Sequence, residues 1–228
     1  MSDTTAPETD SPHGYTLWAV WRRDPEHPVI EPDDRELSDV VQLIEESGVA
    51  VRGFYDVSGL RADADLMVWL HGATAEELQR ALRRLRRTEL LRRLLPVWNA
   101  LGVHRDAEFN RAHVPGFLRG IPAKAWLCLY PFVRSHEWYL LPEDERKRML
   151  AEHGRRGAAF TGVTANTVAS FALGDYEWLL PLEADELTDL VDMMRDLRYT
   201  DARRHVREEV PFFTGRRLEL AEIPEVLQ

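Results

Sequence analysis

Short apolar runs with a period of two alternate along this chain with longer stretches in which apolar residues return every three or four positions, a pattern that predicts an α+β fold. Tyr15 to Trp21 is apolar and aromatic and predicts a strand, after which Pro32-Asp33-Asp34 opens a helix running to about Ser47-Gly48. Val49 to Val57 and Asp65 to His71, separated by the turn residue Gly59, predict two strands paired as a hairpin. Thr74 with Glu77 three residues later is a capping-box signature. The helix it starts carries Leu78, Leu82, Leu85 and Leu90 and is expected to reach about Leu94, before Pro96 and a further extended segment. The first half therefore reads β-α-β-β-α-β.

The same order recurs downstream. A strand is expected at Lys124 to Phe132, a helix at Pro142 to Gly157, strands near Thr167 to Leu173 and Tyr176 to Pro181, a helix at Asp185 to Leu197 and a last strand near Phe213 to Leu220. Two tandem ferredoxin-like halves, residues 15–110 and 124–228 joined by a connecting segment at 111–123, account for this order. Each half would be an antiparallel sheet with helices on one face, and the two sheets would pack face to face as a dimeric α+β barrel. The inference rests on element order, because the two halves share little sequence identity. Residues 1–14, rich in Asp, Glu, Thr, Ser and Pro, read as a disordered acidic tail.

Composition narrows the function classes. With 228 residues and 44% hydrophobic content, a sizeable core is available. Lys and Arg total 29 against 39 Asp and Glu, and a net charge of -10 works against binding nucleic acid or an anionic membrane. Cys128 is the single cysteine, which rules out an intrachain disulfide and makes a thiolate metal cluster implausible, so a reducing cytoplasm is the expected compartment. The tail has neither the basic start nor the apolar stretch of a secretory signal, and charged residues interrupt every apolar run before it could span a bilayer.

Candidate chemistry concentrates in Tyr130-Pro131-Phe132-Val133-Arg134, Trp138-Tyr139 and His153-Gly154. On the predicted helix, Met149, Leu150, His153 and Gly157 share one face, so His153 points inward. A core histidine satisfied by its neighbours is the commoner role for such a residue. With no second His at i+3 or i+4 and no nearby Cys, a tetrahedral zinc site is poorly supported. A haem differs, because the macrocycle supplies four nitrogens and the protein need add only one axial imidazole. Tyr130 ends a strand-like run, where a core tyrosine is again the plainer reading. Arg134 has the planar fork that suits a carboxylate, and Arg198, Arg203 and Arg204 could serve the same anion. The arginines between positions 83 and 93 read as solvated.

Together, Tyr-Pro-Phe-Val-Arg, Trp-Tyr-Leu-Leu-Pro and a His-Gly 23 residues after the tyrosine resemble the coproheme decarboxylases of actinobacterial type, within the chlorite dismutase-like superfamily. The resemblance covers Tyr15 to Leu220. It implies hydrogen peroxide-dependent oxidative decarboxylation of two propionates of iron coproporphyrin III (coproheme) to vinyl groups, giving haem b, with coproheme both substrate and redox cofactor. His153 would be the proximal iron ligand, Tyr130 the redox-active tyrosine, His113 the distal base, and Arg134, Arg198 and Trp138 the substrate-binding residues. It further implies a homopentamer and a functional link to the ferrochelatase that supplies coproheme. Chlorite dismutases carry a distal arginine 13 residues after the proximal histidine. Here that position is Asn166, which disfavours chlorite chemistry. A non-catalytic haem or porphyrin carrier, a haem peroxidase acting on outside donors and a cofactor-free barrel remain as alternatives on the residues alone.

Overall fold

A computed structural model describes residues 14–28, 33–105 and 114–228. The first half contains β1 (Tyr15–Arg22), α1 (Arg35–Glu46), β2 (Ala50–Asp56), β3 (Leu66–Gly72), α2 (Ala75–Leu85) and β4 (Leu95–Val103). The second contains β5 (Trp126–Arg134), α3 (Glu143–Ala158), the short strands β6 (Thr164–Ala165) and β7 (Val168–Ala169), and β8 (Trp178–Ala184). It continues with α4 (Leu187–Leu197), β9 (Val206–Glu208), β10 (Phe213–Leu218) and the closing turn of helix α5 (Ile223–Val226).

All ladders are antiparallel, and the strands run in the order β6-β8-β7-β4-β1-β3-β2-β10-β5-β9 with β8 also paired to β5, so the sheet closes into a barrel. Both halves use the same local order, with the first strand flanked by the third and the last. They are joined crosswise. The last strand of the first half meets the second half at Val103↔Ala169, and the last strand of the second half meets β2 at Arg216↔Asp56 through Leu218↔Phe54.

Strand alternation sorts the core. Trp18, Tyr55, Trp69, Leu127, Leu129, Leu179 and Phe213 fill the barrel interior. The outward residues of β1 and β3, among them Trp21, Leu66 and Leu70, instead meet Leu37 and Ile44 of α1 and Leu78 and Leu85 of α2. In the second half Cys128, Tyr130, Leu182 and Ala184 face Leu190 of α4.

A buried cluster crosses the barrel between the halves. Arg52 on β2 bonds Glu183 on β8, with Nη2 2.6 Å from Oε2, and donates to the Ile121 carbonyl at 3.1 Å. Asn166 Nδ2 donates to the same Glu183 oxygen at 3.0 Å, while its Oδ1 accepts the Phe117 backbone N–H at 2.9 Å. The side chains of Arg52 and Glu183 are 6% and 0% exposed, so the pair is stable only with its partners in place.

Two elements differ from expectation. The helix expected to reach Leu94 ends at Leu85, because Thr88 turns back on it through both its backbone N–H (3.1 Å) and its hydroxyl (2.8 Å) to the Leu85 carbonyl. Leu90, Leu91 and Leu94 are buried all the same, in a run of turns. Thr74 does cap the helix, accepting from Glu77 N at 3.3 Å, although its hydroxyl also donates to the Glu77 carboxylate. The strand expected near Thr167 to Leu173 is instead two fragments, β6 and β7, and its partner runs from Trp178 to Ala184. Asn166 N donates to the Pro181 carbonyl at 3.0 Å, but Pro181 has no N–H to return, and the ladder breaks there.

Candidate active site

The helix-facing side of β5 presents Cys128, Tyr130 and Phe132 at every second position, and α4 covers only part of it. Its neighbour α3 packs chiefly on α4 and on the tight turn Asp201–His205. Arg156 Nη1 to Asp196 Oδ1 at 3.0 Å ties the two helices together, and a Cβ at Gly157 would meet Met193 at 3.5 Å. Between α4 and the β5–β10 pair lies a cavity of about 320 Å³ lined by Cys128, Leu187, Leu190, Met194, Arg198 and Phe212, among others. It is an apolar slot with a cation beside it.

Tyr130 is 6% exposed and lies against this slot, its ring stacked on Phe212 with centroids 4.4 Å apart. Its hydroxyl donates to Met194 Sδ at 3.5 Å. A thioether is a weak acceptor, so the phenol remains available to a stronger one such as a carboxylate. Burial above all, then Cys128 and Glu209, push its pKa up against the pull of Arg198 and Arg203. The phenol therefore stays protonated at any physiological pH.

His153 is partly buried on α3, one turn beyond the buried Met149. Its Nδ1 is 3.4 Å from Thr200 Oγ1, and the Thr200 hydroxyl donates its own hydrogen to the Leu197 carbonyl at 3.0 Å. Nδ1 must then carry the proton, which leaves Nε2 with a lone pair. Burial, followed by the charge of Arg134, lowers the pKa of His153 against the opposing effect of Glu152, so the ring is neutral at neutral pH. A neutral imidazole with a fixed tautomer is what axial iron ligation requires. Among the described residues no group of three or more His, Cys, Asp or Glu could hold a metal ion, so a metal here would have to bring further ligands of its own.

Arg134 ends β5 with its guanidinium 4.1 Å from the Trp138 ring centroid and 4.9 Å from that of Phe132. Its Nη1 donates to the Ala202 carbonyl at 3.4 Å, and its backbone N–H donates to Glu177 Oε2 at 2.8 Å. Trp138 is buried with Met149 and Ala202 and forms the platform under that cation. Arg198 stands at the C-terminal end of α4, lines the cavity, and pairs with Glu209.

The structure thus groups Arg134 and Trp138 by direct contact, couples His153 to Arg134 electrostatically, and sets Tyr130 behind Met194 and Phe212, which line the same cavity as Arg198. His113 lies outside the described residues. Sequence reasoning missed Met194, Phe212, Thr200 and Glu209. Met194, Phe212 and Thr200 reach the site from positions 47 to 82 residues along the chain from the residues they serve, Glu209 lies 11 residues beyond Arg198, and only the apolar face of the α4 pattern hinted at Met194. A larger cavity of about 390 Å³, lined by Arg22, Arg23, His27 and Arg93 among others, lies elsewhere. None of the site residues lines it, and its charges are largely paired locally, as Arg23 with Asp65 and His27 with Asp24.

Comparison with known proteins gives concordant results. Residues 33–218 match the family model described as chlorite dismutase. The coproheme decarboxylase of Mycolicibacterium smegmatis strain ATCC 700084 / mc(2)155 is 58% identical over 175 residues, 76% of each chain. Among solved structures, a putative chlorite dismutase superposes with a TM-score of 0.81 at 21% identity, covering 96% of this chain and 100% of the other. An arginine variant of the chlorite dismutase from Candidatus Nitrospira defluvii superposes at 0.80 and 24% identity, covering 96% and 97%.

Proposed function

The chain belongs to the chlorite dismutase family, and from that premise we propose that it is a coproheme decarboxylase, converting two propionates of iron coproporphyrin III to vinyl groups with hydrogen peroxide. The observation that carries this is the 58% identity to a coproheme decarboxylase, far above the likeness to the chlorite dismutase structures. The site agrees with it. Asn166 stands where chlorite dismutases carry their distal arginine, and its side chain is fully buried, bonded to Phe117 and Glu183.

For each propionate, one hydrogen peroxide and one proton are consumed, and one carbon dioxide and two waters leave with the vinyl group. Iron coproporphyrin, once bound, would supply the macrocycle nitrogens, the iron that activates peroxide and the carboxylates that are lost. His153 would hold the iron through Nε2, with Thr200 fixing the tautomer that leaves Nε2 its lone pair. Arg134, stiffened by Trp138 and Phe132, and Arg198 hold carboxylates in register. Trp138 serves substrate binding as the buried platform that steadies Arg134. Tyr130 would lose its phenolic hydrogen to the peroxide-derived oxidant and take a hydrogen atom from the propionate β-carbon, and loss of a second electron from that carbon to the same two-electron oxidant would release carbon dioxide and leave the vinyl group; abstraction demands close approach, which stacking on Phe212 helps to fix. His113 accepts the peroxide proton.

The same reading makes residues 15–110 and 124–228 two ferredoxin-like halves, and the enzyme a cytoplasmic homopentamer supplied by a ferrochelatase. Among the described residues no helix is long and apolar enough to cross a membrane. The test is to mix the protein with iron coproporphyrin III, titrate in hydrogen peroxide and follow tetrapyrrole masses by chromatography and mass spectrometry. A monovinyl species followed by haem b is expected. A porphyrin that binds and keeps all four carboxylates would make the protein a carrier.

A further inference from the structure

Arg198 and Arg203, whose charges both act on Tyr130, share one carboxylate of this chain. Arg198 reaches both oxygens of Glu209, Nη2 to Oε1 at 2.5 Å and Nη1 to Oε2 at 3.1 Å, and Arg203 Nη1 bonds Oε2 as well. This is the bidentate fork that arginine offers to a carboxylate, with a second cation added. The Glu209 side chain is 14% exposed against 40% and 37% for the two arginines, so the acid sits on the inner side of the cluster. Three residues later Phe212 stacks on Tyr130 and lines the apolar cavity, which Arg198 lines too. A carboxylate of the protein therefore holds the fork that the proposed function assigns to a carboxylate of the substrate.

We propose that Glu209 is an internal competitor for the substrate: a propionate of the incoming porphyrin exchanges with the Glu209 carboxylate on Arg198 and Arg203, and the exchange sets the binding affinity. The inference rests on the proposed function and specifies how this part of the site recognises its ligand. The chemistry of the exchange favours it. One anion replaces another on the same donors, so neither guanidinium is left unpaired while the ligand enters or leaves. The opposite role, in which Glu209 merely holds the two arginines in position for the ligand, predicts the opposite sign on its removal.

The experiment is a fluorescence titration of wild type, Glu209→Gln and Glu209→Ala with iron-free coproporphyrin III, whose missing iron takes His153 out of the measurement. A parallel titration uses the tetramethyl ester, and thermal unfolding checks that both variants fold. Removing one partly exposed competitor should tighten binding of the free acid by roughly fivefold. The ester, which has no carboxylates, should bind all three proteins alike. Unchanged or weaker binding of the free acid, or an equal gain for the ester, would overturn the role of Glu209 and leave the decarboxylase reading standing. If the folded wild type binds neither coproporphyrin III nor its iron complex, the proposed function fails and this inference fails with it.

Discussion

The two helix–sheet layers of this barrel are built to the same plan and finished differently. Among the described residues, the first-half layer buries nineteen apolar residues in one continuous cluster, with α1 and α2 both seated on the strands. The corresponding layer of the second half buries five in one cluster and three more, Trp138, Met149 and Ala202, in a separate one. Its two helices lean on each other, α3 also on the 201–205 turn and α4 on β8, and a cavity remains over β5. Both layers start from outward-facing strand residues of similar size, so the difference arises in the helices. In α2 the exposed residues are Glu76, Gln79, Arg80, Arg83 and Arg84 while Leu78, Ala81 and Leu85 are buried, whereas Met149 alone is buried along the 16 residues of α3. A helix that gives the sheet so little to pack against leaves room for a ligand, and the polar and redox-capable residues of this chain cluster where that room is.

The comparison can be broken most sharply at Tyr130. Tyr130→Phe should keep binding iron coproporphyrin III, form no vinyl product detectable by mass spectrometry, and shift the unfolding free energy by no more than about 1 kcal/mol, because only a weak hydrogen bond to Met194 is lost. Normal turnover in that variant would remove the phenol from the mechanism. In the filled layer the balance should invert. Leu78→Ala should cost about 2–5 kcal/mol in a denaturant titration, while any decarboxylation by the protein that remains folded proceeds at the wild-type rate. A Leu78 variant with normal stability would mean that the first layer is less tightly packed than its burial suggests.

An effect absent at neutral pH concerns a residue in neither layer. His71 projects toward the barrel interior against Phe117, with ring centroids 5.1 Å apart, and burial, followed by the charge of Arg52, lowers its pKa to about 4. The folded protein therefore holds it neutral while the unfolded chain protonates near 6.5. Its contribution to stability is complete above 6.5 and is lost as pH falls toward about 4, by at most about 1.4 kcal/mol per pH unit. His71→Phe should flatten that part of the stability–pH curve, and an unchanged slope would assign the acid sensitivity to other groups.

Much of this organisation is legible in the sequence, for local reasons. Period-two runs such as Tyr15 to Trp21 and the cap at Thr74 are decided by neighbouring residues, and they place β1 and the start of α2 within a residue or two. The stretch from Thr164 to Ala169 is not decided locally. Its division depends on Pro181, a proline on another strand, and on the draw of Glu183 on the Asn166 side chain. The site divides in the same way. His153 and its face follow from spacing within one helix. Glu209 and Phe212 cannot be found so, since what matters is the approach of a segment far along the chain to the outer face of β5.

The crosswise joining of the halves bears on ancestry. In each half the last strand pairs with the other half rather than closing on its own, as β4 does with β7 and β10 with β2. Two identical copies of a single half, each lending its last strand to its twin, would complete the same barrel with twofold symmetry. Topologically the chain is such a symmetric pair fused end to end. Fusion releases the copies from identity, so that one can stay solid and carry the folding while its twin opens to admit a ligand.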